Sequence, residues 1–175
     1  METVIKNRGT SCVGVRKTGT TLIHVSTVMG TLYLVFINCS LEEAIGNYKE
    51  VIGGGTLSKV ENEENEEVYK YDDVYISFLS EEWTAIETEE GDDFGPDVLL
   101  EIAKDKKCIY TYVDEDLLDG ELIVIEEGKI IRKLFDYYTT PELNENFGKI
   151  EYEDEHEISD WIDIGQYMDY LLSSL

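Results

Sequence analysis

The stretch from Cys108 to Phe135 constrains the fold most. It holds three runs rich in β-branched and aromatic residues, Cys108–Val113, Glu121–Ile125 and Lys129–Phe135, the types that suit a pleated, half-buried surface. The connections between them are short. Asp119-Gly120 is read as closing one end and Glu127-Gly128 the other, with Gly128 available for a positive φ. Strands joined this tightly are antiparallel neighbours, so the stretch reads as a β-meander. Side chains alternate across a strand, which puts Leu122 and Val124 on one face and Glu121, Ile123 and Ile125 on the other. The meander is expected at the centre of a sheet, with the rest of the chain covering its apolar face.

Upstream, Ser11–Arg16 reads as a first strand. Thr21–Val28 and Thr31–Ile37 read as a hairpin about Met29-Gly30. The run TLYLVFI is almost wholly apolar, so both of its faces should be covered. Ser40 followed by Glu43 forms a capping-box pattern. The helix it opens has an apolar stripe of Leu41, Ala44, Ile45, Tyr48, Val51 and Ile52, and Gly53-Gly54-Gly55 ends it. Val60–Glu67, reading VENEENEE, has no apolar period and reads as a loop. Tyr69–Leu79 and Glu82–Thr88 read as strands. Pro96 and Asp97 start a second helix, with Val98, Leu99, Ile102 and Ala103 as its stripe. Thr139–Glu145 is read as loop and Phe147–Tyr152 as a short strand. Ser159-Asp160 opens a final helix that buries Trp161, Ile164, Met168, Leu171 and Leu172. The expected fold is a single α+β domain over residues 1–175, a mostly antiparallel sheet of about six to nine strands with three helices packed against it. Trp83, Val124, Ile131 and Trp161 are expected in its core.

Charge restricts function more than composition does. The chain carries 39 acids against 14 basic residues, a formal net of −25, more than solubility requires. Met1 to Ser58 is nearly neutral, with five basic and four acidic residues; nine basic and 35 acidic residues fall between Lys59 and Leu175. Such a surface repels nucleic acid and anionic membrane, and steers a basic partner toward itself. No apolar run is long enough for a membrane helix. The basic start lacks the continuous apolar region of a secretory signal. Cys12, Cys39 and Cys108 are odd in number and far apart, which points to reduced thiols in a cytoplasm.

No catalytic or cofactor motif stands out. The triple glycine lacks the Lys-Ser/Thr of a phosphate loop. Two isolated histidines and three isolated cysteines do not make a zinc site. From Asp114 to Gly120 the acids resemble a calcium loop, but an EF-hand has its third acid at position 5 and Gly at 6, whereas Asp119 falls at 6 and Gly120 at 7. No catalytic residue, metal ligand or cofactor is therefore assigned. What remains is three acidic runs, Glu61–Glu67, Asp114–Asp119 and Glu151–Glu157, whose mutual repulsion a basic partner would relieve.

The last third, CIYTYVDEDLLDGELIVIEEGKIIRKLFDYY and then GKIEYEDEHEISDWIDIGQYMDYLL, resembles small acidic bacterial proteins of the polymorphic-toxin immunity class. The likeness covers about 70 of the 175 residues; its most distinctive part is the acidic stretch leading into Ser159 to Ile164. It implies a cytoplasmic protein that binds and neutralises a cognate toxin without catalysis, and it transfers no site residues. The expected partner surface is read from the residues instead: Asp114, Glu115, Asp116 and Asp119, together with Glu153, Asp154, Glu155, Asp160 and Asp163, acids that flank ordered elements. Two other readings remain open, a small carboxylate- or cation-dependent hydrolase and a regulatory interaction module.

Overall fold

The computed structural model describes residues 31–53, 55–60, 67–71, 74–88 and 94–175. Among them are nine strands and three α-helices, an α+β fold. In chain order these are β1 (Thr31–Ile37), α1 (Leu41–Ile52), β2 (Leu57–Lys59), β3 (Val68–Tyr71), β4 (Val74–Phe78), β5 (Thr84–Thr88), α2 (Pro96–Ala103), β6 (Cys108–Asp114), β7 (Asp119–Glu126), β8 (Lys129–Asp136), β9 (Glu145–Gly148) and α3 (Trp161–Ser174). Single turns of 3-10 helix occupy Pro141–Leu143 and Glu151–Asp154. Among the described residues no helix is long and apolar enough to cross a membrane.

All strands join one antiparallel sheet in the order β2-β3-β4-β5-β1-β6-β7-β8-β9. The meander β6-β7-β8 is present, but the centre of the sheet is β1, held between β5 and β6. Leu34, Val35, Phe36 and Ile37 are fully buried, as expected of a run that is apolar on both faces. β1 pairs with β5 over Tyr33–Ile37 and with β6 over Thr31–Ile37. The predicted strands Ser11–Arg16 and Thr21–Val28 lie outside the described residues, as do most of the loop Val60–Glu67 and Cys12.

Side-chain alternation builds two cores rather than one. Val35, Ile37, Cys108, Tyr110, Ile123 and Ile125 face α1 and α2. Leu34, Phe36, Ile109, Leu122, Val124 and Leu134 face α3. The expectation of a single covered face is corrected because β7 is apolar on both sides. The α1 and α2 layer is stitched by buried Asn47, whose Nδ2 donates to the Ile102 carbonyl at 3.1 Å. Cys39 and Cys108 are free, buried thiols.

Helix boundaries follow the chemistry at their ends. The Glu43 N–H donates to Ser40 Oγ at 3.3 Å, while the Glu43 carboxylate meets Lys106. Gly53 closes α1 at φ 86°, a conformation that suits Gly. The sequence reading misses strand ends where tertiary pairing decides. Tyr69–Leu79 is two strands, β3 and β4, paired as a hairpin, with Asp72-Asp73 between them. β5 starts at Thr84, β2 was unforeseen, and β9 precedes the position expected of it. Val124 is fully buried, whereas Trp83, Ile131 and Trp161 are only half-buried against the α3-side core.

Candidate functional site

The β6–β7 connection gathers the first group of candidate acids. Asp114 and Asp119 pair at the end of the ladder, so Asp119-Gly120 lies inside β7 and the reversal is made by Glu115–Leu118. The N–H groups of Asp116 and Leu117 donate to Asp114 Oδ1 at 2.9 and 2.8 Å, the local side-chain turn at which Asp excels. Leu118 takes the left-handed conformation at φ 60°. Asp119 Oδ1 accepts from the Tyr138 N–H at 2.8 Å. Both aspartates are buried, at 6% and 7% exposure. Asp114 holds the turn and Asp119 holds the segment after β8, while Glu115 and Asp116 project from the turn exposed.

The second group divides in the same way. Glu153 forms a two-pronged pair with Arg132: Nε to Oε2 at 2.9 Å and Nη2 to Oε1 at 3.0 Å. The side chains of Arg132 and Glu153 are 2% and 7% exposed. Arg132 also donates to Asn146 Oδ1 and to the carbonyls of Lys133, Phe147 and Ile158. It thereby ties β9 and the 3-10 turn to β8. Asp154 pairs with Lys149 at 2.7 Å on the surface. Asp160 is the N-cap of α3, accepting from Ile162 and Asp163 N–H. Asp163 Oδ2 accepts from both the N–H and the hydroxyl of Ser159. Among the described residues no ion pair engages Glu115, Asp116 or Glu155.

Two packing details bring the start of α3 to the β6–β7 end of the sheet. Gly120 lies so close to α3 that a Cβ there would meet Trp161 Cα at 2.9 Å. The Trp161 N–H donates to Asp136 Oδ2 at 3.0 Å, and Asp136 is the ladder partner of Gly120. Asp160 and Asp163 therefore join the turn acids, while Glu153–Glu155 belong to the β8–β9 side with Arg132. The same end presents side chains that the charge pattern hides: Leu117, Leu118, Tyr138 and Ile162 are all exposed. Their sequence signal is weak, since two leucines within an acidic run read as part of a solvated connection.

On the opposite face, Tyr33, Tyr112, Glu121 and Phe135 form a row across β1, β6, β7 and β8. Tyr33 stacks on Tyr112 with centroids 4.6 Å apart. The Tyr137 hydroxyl donates to Glu121 Oε1 at 2.5 Å, and Tyr110 bonds the same carboxyl. Burial pushes the Glu121 carboxyl above the ordinary glutamate range; the Tyr137 and Tyr110 hydroxyls and Lys133 oppose the shift, and Asp119 adds to it. A carboxyl with a raised folded-state pKa binds more protons folded than unfolded. Its contribution to stability is therefore present below the unfolded value and is lost as pH rises through the folded one. Glu121→Gln removes that term, so wild type should lose more stability than the variant as pH rises from the ordinary carboxylate range through the raised folded-state value. Urea titrations of both proteins across that range test this. Parallel pH profiles would show that Glu121 ionises as it does in the unfolded chain.

Among the described residues no group of three or more His, Cys, Asp or Glu side chains is arranged to hold a metal ion. No family model, curated protein or solved structure matches the chain.

Proposed function

We propose that the protein is a non-catalytic acidic binding protein that neutralises a basic protein partner, acting in the cytoplasm as an immunity protein does against a nucleic-acid-acting toxin. One observation carries the reading. Glu115 and Asp116 stand exposed on a turn that Asp114 fixes through two backbone hydrogen bonds, with no ion pair to either among the described residues. Carboxylates held in place lose little freedom on binding, so more of their attraction survives as affinity. The excess of 35 acids over nine basic residues from Lys59 onward supplies the long-range field that speeds encounter with a cationic surface. Inhibition would follow from occlusion, with carboxylates standing where nucleic-acid phosphates would lie. Nucleic acid and anionic membrane share the protein's own sign of charge and are poor partners.

The test is capture of a basic protein from the native cell extract, then binding of the purified candidate measured across a salt series. Wild type should associate more slowly as salt rises, with dissociation less affected. Glu115→Lys with Asp116→Lys should weaken binding by about tenfold or more if those charges are desolvated at the interface. Asp114 and Asp119 are left unchanged, because reversing them would break the hydrogen bonds that fix the turn and the segment after β8. Salt-independent binding that the double variant leaves intact would overturn the electrostatic reading.

A further inference from the structure

The end of the sheet that carries the exposed carboxylates also carries large apolar side chains. Leu117 is 49% exposed, Leu118 36%, Tyr138 72% and Ile162 49%. They come from three separate stretches, the β6–β7 turn, the segment after β8 and the first turn of α3. The hydrogen bond from Tyr138 N–H to Asp119 and the close seat of Trp161 on Gly120 bring those stretches to the same end of the sheet. Single exposed apolar residues need no explanation, but several gathered at one end of a sheet suit an interaction surface. Each is anchored through its backbone. The turn is held by Asp114, Tyr138 by Asp119, and Ile162 by the Asp160 cap. Leu118 holds a left-handed conformation that Gly or Asn would adopt at lower cost.

We infer that Leu117, Leu118, Tyr138 and Ile162 are the apolar centre of a protein–protein interface whose occupant is a basic amphipathic segment of the partner. This rests on the reading of the chain as an acidic binding protein and names where and how it binds. Charge complementarity selects the occupant. Glu115 and Asp116 flank the leucines on the turn, and Asp160 and Asp163 flank Ile162 on α3. A partner with aliphatic side chains spaced among Lys or Arg would bury the first on the apolar centre and place the second on the acidic rim, the usual anatomy of an interface. A second copy of this chain would set one acidic rim against another and is disfavoured.

The probes are two synthetic peptides of equal charge, one alternating Leu and Lys as an amphipathic helix, the other with every Leu replaced by Ser. Wild type should bind the Leu–Lys peptide at least about tenfold tighter than the Ser–Lys peptide. Leu117→Ser with Ile162→Ser should erase that difference while keeping the weak, salt-sensitive binding common to both. Both positions are exposed, so the variant should melt as wild type does. Glu115→Lys with Asp116→Lys should weaken both peptides. Equal binding of the two peptides by wild type would overturn the apolar centre and leave the acidic reading standing. Failure to bind either would overturn both. A dimer seen in sedimentation and abolished by Leu117→Ser would assign the surface to a second copy instead.

Discussion

Phe36→Ala should destabilise the protein by about 3–5 kcal/mol. Phe36 is fully buried, lies on the central strand and pairs across to Ala85 and Ile109. Its ring sits with Leu34, Ile109, Val124 and Ile164 in the core between sheet and α3. Truncation removes the transfer free energy of the ring and leaves a cavity that the sheet, hydrogen-bonded along both edges of β1, cannot readily collapse. Trp161→Ala makes an instructive contrast. Its place in a periodic apolar segment predicts that it is largely buried, and thus a similar loss. It is instead half-buried at the helix start, so part of its surface is already in water, and the cost should be clearly smaller. Urea denaturation of both variants, compared at equal m-value, measures the difference. A Phe36→Ala midpoint equal to wild type would mean that β1 does not fill the centre of the sheet.

Local chemistry made much of this fold legible in advance. The meander, the three helices and most of their ends follow from side-chain period, Ser40, Gly53, Pro96 and Asp160, each acting over a few residues. The central place of β1 was foreshadowed by TLYLVFI, since only a strand covered on both sides can be apolar throughout. Its neighbours β5 and β6 lie far along the chain, and pairing over such separations leaves no short-range signature. The candidate site shows the same division. That the Asp114–Asp119 run connects two strands was readable; that Asp114 and Asp119 turn inward and Glu115 and Asp116 outward depends on a reversal completed by Leu118, not by a glycine. Charge patterning also cannot distinguish Glu153 from Asp154 or Glu155. The better clue lay in β8, where Arg132 shares a face with Leu134. A guanidinium on an apolar face requires a buried counter-charge, which argues for some acidic partner without naming it.

That pairing sets up the second large effect. Glu153→Ala should cost about 3–5 kcal/mol, the range for stripping one partner from a buried ion pair. The loss is mostly the penalty of an uncompensated guanidinium at 2% side-chain exposure. Glu153 Oε2 also accepts from the Ile150 N–H at 2.9 Å, so the entry to the 3-10 turn loosens as well. Adding Arg132→Met should recover part of the stability, because a well-packed apolar side chain can replace a buried pair at little cost. Recovery should stop short of wild type, since Arg132 also satisfies Asn146 and the carbonyls of Phe147 and Ile158. Thermal melts of the single and double variants form the cycle. A Glu153→Ala loss under about 1 kcal/mol would place the pair among ordinary surface ion pairs. Binding gives the complementary reading. Glu153 has its carboxylate committed inside the fold, so Glu153→Gln, where it stays folded, should leave affinity for a basic partner nearly unchanged, while Glu115 and Asp116 variants lower it.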